Sequence, residues 1–193
     1  MITRTTLLTL AVATLTTLAA LPAAAQSTLK TDANQSSIQA VGAKVTGDHT
    51  LTFSNFDGTI TVDKGQVSAL SFTLQMKDFT TEMEGEWGTK LVGHLQSPDF
   101  FDIERYPTAT FKSVSVTPEK SKHGTHMVLG KLTLRGKTRT IRFPATIQVT
   151  GGAVSGETEF TINRKDFGIV YTGKPDDLIR DAVLLKVNLK AKR

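Results

Sequence analysis

The stretch that decides the fold is Val183-Leu184-Leu185-Lys186-Val187-Asn188-Leu189-Lys190. Apolar side chains stand at alternate positions in it, at Val183, Leu185, Val187 and Leu189. The residues between the last three of these, Lys186 and Asn188, are polar. Successive side chains of a β-strand point to opposite faces. The pattern therefore predicts a strand with one buried face and one face in water.

Three further runs carry the same alternation: residues 66–76, 139–149 and 153–163. A shift of one residue in strand register would expose the whole apolar row of each run, so their register is strongly specified. These runs predict additional strands whose apolar rows share one interior.

Short turn sequences separate the alternating runs. They are Asp63-Lys64-Gly65, Arg135-Gly136-Lys137 and Gly151-Gly152. Such residues favour tight hairpins, and strands joined by hairpins are antiparallel neighbours. With roughly eight strands at this spacing, the sequence predicts an all-β antiparallel barrel or sandwich.

One segment departs from the strand period. Met83, Trp87, Leu91 and Leu95 recur every four residues, which predicts one short helix near residues 84–96. We interpret Trp87 as part of the packed face of this helix. A helix in an all-β chain often covers one end of a barrel.

Residues 1–25 have the pattern of a secretory signal peptide. Arg4 supplies a positive charge, residues 7–21 are apolar and uncharged, and Ala23-Ala24-Ala25 offers small side chains for cleavage. We predict cleavage after Ala25 and export. The alternative is an uncleaved membrane anchor, for which the apolar segment is short.

The remainder of the chain has the size of one domain. Residues 26–35 are polar and are predicted to be a flexible lead-in, and residues 36–193 are predicted to form the barrel. The chain has no cysteine, which excludes disulfides, thiol nucleophiles and cysteine-bound metals. It also excludes a lipid anchor on a cysteine.

The net charge of +5 at pH 7 raises the question of nucleic-acid binding. The basic residues are spread along the strands, often beside acids, as in Arg180-Asp181. That arrangement is typical of a solvated outer face and not of a track for phosphates. We predict no nucleic-acid partner, whereas transient contact with an anionic membrane surface stays open.

Signals for catalysis or metal binding are weak. Nucleophile elbows, phosphate-binding loops and dinucleotide fingerprints do not occur in the sequence. His123 and His126 are three residues apart and would face opposite sides of a strand. We predict no metal and no cofactor.

Two acid–base neighbours near strand ends are interpreted as structural. Arg164 with Asp166, and Arg180 with Asp181, are expected to fix loops through hydrogen-bonded pairs. His94 lies beside the apolar stripe of the predicted helix and could hold the polar end of a ligand.

Several motifs together resemble a known family. They are His-Leu-Gln-Ser-Pro-Asp-Phe-Phe-Asp at 94–102, Tyr-Pro-Thr-Ala-Thr-Phe at 106–111, Gly-Lys-Leu-Thr-Leu-Arg-Gly at 130–136 and Asn-Arg-Lys-Asp-Phe-Gly-Ile at 163–169. In this order and spacing they resemble the YceI-like family of bacterial periplasmic proteins. The resemblance implies an eight-stranded lipocalin-like barrel that binds polyisoprenoids in an apolar tunnel.

The resemblance and the apolar rows together predict a periplasmic carrier, not an enzyme, for an isoprenoid, quinone-like or other lipid-like molecule. The inward-facing residues of the rows, together with His94, are the candidate ligand contacts. They are Phe72, Leu74, Leu132, Leu134, Ile141, Phe143, Phe160, Ile162, Leu185, Val187 and His94.

Two alternatives remain at this stage. One is an enzyme acting on a lipid-like substrate through His94 with Asp166 or Asp102. The other is a structural or interaction module whose core is filled by its own side chains. A homodimer formed through an edge strand is compatible with any of them.

Overall fold

The computed structural model describes residues 26–192. This part of the chain contains twelve strands and one α-helix. Their bounds are β1 (Ser27–Thr31), β2 (Ser37–Lys44), β3 (Gly47–Phe53), β4 (Phe56–Asp63), β5 (Gln66–Gln75), β6 (Phe79–Thr81), α1 (Gly85–Gln96), β7 (Thr108–Ser121), β8 (Gly124–Leu134), β9 (Lys137–Thr150), β10 (Ala153–Asn163), β11 (Gly173–Lys174) and β12 (Asp177–Lys192). Short 3-10 turns occupy Ala33–Gln35 and Arg164–Phe167.

Six of the strands lie end to end in three couples, β1 with β2, β3 with β4 and β5 with β6. Each couple forms one long, interrupted strand. β1 and β2 follow one another along the same edge of β12. β3 and β4 pair with β2 and β1 in the same way, and β6 and β5 pair with β3 and β4. Together with β7, β8, β9, β10 and β12 they make eight long strands in residues 26–192, and the two-residue β11 pairs only with β12.

These eight strands close into an antiparallel barrel in which neighbours in sequence are neighbours in space. The pairing runs from β5 through β7, β8, β9 and β10 to β12. The first long strand then pairs with β12, at Thr31↔Ala191 and Val41↔Leu184 among others, and closes the ring. The predicted eight-stranded all-β antiparallel barrel is confirmed.

The predicted hairpin turns adopt the backbone that their residues favour. Lys64-Gly65, Arg135-Gly136 and Gly151-Gly152 all have positive φ, between 50° and 81°. Positive φ at both central residues defines the type I′ turn, whose twist matches that of the flanking strands. The glycines supply this backbone at low cost.

The prediction of a flexible lead-in over residues 26–35 is wrong. β1 pairs with β4 from Ser27↔Val62 to Lys30↔Thr59 and with β12 at its other edge. Leu29 is 1% exposed. A five-residue strand with a single inward apolar side chain gives almost no alternation, so the sequence pattern concealed it.

Helix α1 spans Gly85–Gln96, which confirms the predicted helix near residues 84–96. The packing predicted for Trp87 is wrong, because this side chain is 70% exposed and lies beneath the ammonium of Lys90 at 5.1 Å. Only the C-terminal half of the helix reaches the core, where Leu95 is buried. Within residues 26–192, no helix combines the length and hydropathy needed to cross a bilayer.

Candidate functional site

The barrel encloses a cavity of about 250 Å³. Inward-facing side chains of most strands line it, and so do residues of α1 and of the loop after it, among them Leu95, Phe100 and Phe101. The surface that the wall presents to the cavity consists almost entirely of carbon. The interior is therefore hollow, in contrast to the filled core of the structural-module alternative.

All ten strand residues predicted as ligand contacts lie on this wall. They are Phe72, Leu74, Leu132, Leu134, Ile141, Phe143, Phe160, Ile162, Leu185 and Val187. The structure thus brings together residues from β5, β8, β9, β10 and β12. Their contact with a ligand stays a prediction.

The alternation of side-chain direction along each strand explains which residues line the cavity. In β10, Val154, Gly156, Thr158, Phe160 and Ile162 all line the cavity, and the residues between them, apart from Glu157, do not. Gly156 leaves a dent, because a Cβ built on it would meet only the carbonyl oxygen of Thr146, at 4.0 Å.

Sequence reasoning missed other wall residues. Ile38 and Ala40 of β2 follow the same alternation and were detectable from it. Phe111 of β7 was detectable in the same way. Phe100 and Ile169 come from irregular segments, where no periodic signal exists.

Aromatic rings form a contiguous group across three strands. Phe111 and Phe143 lie with ring centroids 5.7 Å apart. Phe143 and Phe160 stack at 4.1 Å with an interplanar angle of 5°. Glycines make room for two wall rings, since a Cβ on Gly58 would meet Phe72 and a Cβ on Gly130 would meet Phe111, each at 2.3 Å.

Arg164 is the buried cation of the site, with 4% exposure. Its guanidinium donates to the carbonyl oxygens of Ile169 at 2.9 Å, Arg180 at 3.0 Å and Ile179 at 3.2 Å. It also contacts Asp181 at 3.3 Å. These contacts hold the charged guanidinium outside the cavity, so the aliphatic part of the Arg164 side chain lines the wall.

The partners expected for the acid–base neighbours need correction. Arg164 pairs with Asp181 and not with Asp166, which is exposed. Arg180 contributes its backbone carbonyl, and Lys165 is the second cation on Asp181, at 2.9 Å. The 3-10 turn after β10 folds back over the start of β12, so residues distant in sequence meet while adjacent residues diverge.

His94 does not reach the cavity wall. Its Nε2 lies 3.2 Å from a carboxylate oxygen of Asp99, and its ring meets Phe100 and Tyr171 edge-on at 5.0 and 4.9 Å. His94 therefore packs against Phe100, which lines the cavity, and its hydrogen-bond partner is Asp99, not Asp166 or Asp102. Asp102 is buried and lies 3.8 Å from Arg105.

The remaining histidines do not converge on a metal. His123 is exposed, and His126 hydrogen-bonds to Thr125 at 2.8 Å. Burial lowers the pKa of His126. In the part of the chain that the structure describes, no cluster of three or more His, Asp and Glu side chains could hold a metal ion.

The fold and the cavity define a hollow lipocalin-like antiparallel barrel. A family model described as the YceI-like domain matches residues 29–191, and the chain belongs to this family. The resemblance inferred from the sequence motifs is confirmed.

Relatives by sequence agree with this assignment. A UPF0312 protein of Pseudomonas putida strain W619 is 34% identical over 128 residues, which cover 63% of this chain and 64% of that protein. Protein YceI of Escherichia coli O6:H1 strain CFT073 is 35% identical over 125 residues, with coverage of 61% and 62%. The chain thus spans less than two thirds of the length of these relatives.

Two solved structures share the fold. BcnA of Burkholderia cenocepacia superposes with a TM-score of 0.71 at 25% identity, over 84% of this chain and 99% of BcnA. A polyisoprenoid binding domain from Saccharophagus degradans gives a TM-score of 0.65 at 15% identity, over 85% and 97% of the two chains.

Proposed function

We propose that this protein binds an apolar isoprenoid or lipid-like molecule inside the barrel and carries it through the periplasm. The observation that carries the proposal is the hollow interior with a wall of carbon. Sequestration, and not turnover, is the function that this geometry supports best.

The wall favours hydrocarbon over polar ligands. Each CH₂ group transferred from water to an apolar site contributes about 0.8 kcal/mol. A hydroxyl or amide buried there without a hydrogen-bond partner costs about 1–3 kcal/mol. A molecule made mostly of CH₂ and CH₃ groups gains along its whole length, whereas a polar molecule of equal size loses at each polar group.

Binding is favoured over catalysis by the few polar residues on the cavity wall. They are Glu157, Thr158 and Arg164, and Glu157 is exposed to solvent. Arg164 is engaged by three carbonyls and Asp181, and the hydroxyl of Thr158 donates to the carbonyl oxygen of Pro144 at 2.5 Å. A nucleophile held by a base, the usual sign of covalent catalysis, is not among them.

The relatives support the ligand class. The Saccharophagus degradans domain of the same fold is described as polyisoprenoid binding. The motif resemblance described above implies the same class for this chain. A quinone-like molecule with an isoprenoid tail would satisfy the same wall.

Location in the periplasm rests on residues 1–25, which lie outside the described residues. Their charged start, apolar middle and small-residue end match an export signal. A homodimer and transient contact of the basic outer surface with a membrane stay predictions. All of these fit a carrier that moves between membranes.

The test is to purify the protein from its native host under non-denaturing conditions. Native mass spectrometry is expected to show an added mass that solvent extraction releases as an apolar molecule. Emptied protein is expected to bind the apolar dye N-phenyl-1-naphthylamine at one site per chain, and heat-unfolded protein is the control. Repeated absence of both the added mass and dye binding would contradict the proposal.

A further inference from the structure

The barrel wall has a lengthwise gap in its hydrogen bonding between β9 and β10. The ladder that joins them runs from Ala153↔Thr150 to Glu157↔Thr146 and ends there. Beyond that point β10 pairs only with β12, as far as Asn163, and β9 pairs only with β8. We call the interval between residues 137–145 and 158–163 the β9–β10 slot.

A proline stands where the ladder stops. Pro144 has no N–H to donate to β10. Its carbonyl accepts a hydrogen bond from the hydroxyl of Thr158, at 2.5 Å. A side chain thus takes the place of the next ladder bond, and the two strands separate beyond it.

Side chains close the slot where main-chain bonds do not. Phe143 and Phe160 stack face to face across it, 4.1 Å apart. Ile141 lies one step further along β9 on the same face, and Ile162 does so along β10. All four line the cavity, so side chains, and not main-chain hydrogen bonds, close this part of the wall.

Both ends of the slot are fixed. At one end Thr158 is bonded to Pro144. At the other end the 3-10 turn after β10 lies against the β8–β9 hairpin, where Arg135 donates to the carbonyl of Gly168. The side chain of Lys137 lies close to Gly168 as well. The slot can therefore widen in its middle while the barrel frame stays intact.

A second interruption of the wall, between β5 and β7, is less suited to passage. There the ladder ends at Ser71↔Lys112, and the N–H of Leu70 donates to Ser113 Oγ at 2.8 Å. On β7, no residue past Phe111 lies on the cavity wall. Cavity-lining residues flank the β9–β10 slot from both sides but reach this second gap from β5 only.

We propose that the apolar ligand enters and leaves the cavity through the β9–β10 slot, with the Phe143–Phe160 pair as its gate. This inference rests on the proposed function, because it assigns a route to the same ligand. Opening the slot needs rotation of side chains, which is fast, and a small separation of two strands that no ladder hydrogen bonds join at this point. Opening a paired seam would break several main-chain hydrogen bonds inside an apolar wall.

The experiment closes the slot covalently. The chain has no cysteine, so Arg142→Cys with Thr161→Cys places two unique thiols on exposed positions on either side of it. A short bis-maleimide then links them. The matched control is Glu159→Cys with Lys186→Cys, a directly paired position on the continuous β10–β12 ladder, linked by the same reagent.

The readout is the association and dissociation rates of N-phenyl-1-naphthylamine by stopped-flow fluorescence. Linking across the slot is expected to lower both rate constants by about tenfold or more while Kd changes by less than about twofold. Linking the control pair is expected to change neither rate. Unchanged rates in the slot-linked protein would overturn the route.

A second variant keeps the proposal testable if the linked protein does not fold. Phe160→Leu removes the stacked ring and is expected to raise both rate constants by about threefold or more. Unchanged or slower rates would count against the gate. If unmodified protein binds no dye at all, the proposed function fails, whereas dye binding with rates insensitive to the link rejects the route alone.

Discussion

Arg164 and Asp181 meet at 3.3 Å, although they are seventeen positions apart in the chain. The guanidinium is 4% exposed, whereas the side chain of Asp181 is 40% exposed. Arg164 also donates to the carbonyls of Ile169, Ile179 and Arg180. One side chain thus joins the end of β10, the turn that follows it and the start of β12.

The first prediction compares the stability lost when Arg164 is replaced with the stability lost when Asp181 is replaced. Arg164→Leu leaves buried carbonyls without donors and removes a charged multidentate contact, so the free energy of unfolding is expected to fall by about 3–5 kcal/mol. Asp181→Asn removes a partner that is partly in water and leaves the carbonyl contacts in place, so a loss of about 1 kcal/mol or less is expected. Urea unfolding measures both, and equal losses would contradict this account.

The barrel could be predicted because the patterns that indicate its strands and turns each lie within a short stretch of the sequence. Where a strand has one face in the cavity and one in water, as β12 does, period-two alternation records both the strand and the direction of each side chain. The ten wall residues were chosen on that basis, and all of them lie on the wall. The type I′ turns were equally local, since positive φ requires particular residues.

The features that sequence reasoning missed depend on tertiary placement. Arg164 and Asp181 meet because a 3-10 turn reverses the chain, and the acid–base neighbours in sequence suggested other pairs. Trp87 shares the helical stripe of Leu95 but lies at the end of α1 that the barrel does not cover. Helical periodicity indicates which side chains share one face of a helix, but it does not indicate how much of that face packs against the rest of the protein.

The second prediction concerns the glycine beneath a wall aromatic ring. A Cβ on Gly130 would lie 2.3 Å from the ring of Phe111 and 2.9 Å from the carbonyl oxygen of Lys112. Gly130→Ala is therefore expected to lower the free energy of unfolding by about 1–3 kcal/mol. Gly93→Ala is the control, since its exposed helical position has open space and a gain of about 0.5–1 kcal/mol is expected. Thermal unfolding measures both.

The third prediction concerns acid stability at the contact between β3 and Glu82, which follows β6. Glu82 contacts His49 Nδ1 at 2.7 Å and accepts from the N–H of Thr50 at 2.7 Å. Burial raises the pKa of Glu82, but the hydrogen bonds from His49 and the backbone, with the charge of His49, outweigh it and the net pKa is lowered. The carboxylate therefore stabilises the folded chain above the ordinary glutamate pKa of about 4.3.

That contribution is lost as the pH falls through the lowered pKa of Glu82, because the unfolded chain binds the proton more readily there. Glu82→Gln is expected to flatten the fall in stability between about pH 5 and pH 3. Urea midpoints measured across this window test it, with the exposed Glu104→Gln as the control. An identical pH profile for Glu82→Gln and the unaltered protein would refute the role assigned to Glu82.

The last prediction concerns a substitution at Gly156 that would fill part of the cavity. A Cβ there would point into the cavity and meet nothing closer than 4.0 Å, so Gly156→Leu adds four carbons without a clash at the main chain. Glycine weakens a strand interior, and stability is expected to stay level or rise. Dye binding is expected to weaken by about 100-fold, because the new side chain occupies space otherwise worth about 0.8 kcal/mol for each CH₂ of the ligand.

Gly47→Leu is the matched control, since Gly47 is exposed at the start of β3 and a Cβ there also meets open space. It adds the same side chain to the outer surface and is expected to leave dye affinity unchanged. Titration by fluorescence, with circular dichroism to verify folding, compares the two variants. Full affinity in a folded Gly156→Leu protein would contradict binding of the dye against this part of the cavity wall, because the leucine and the dye would then not compete for the same space.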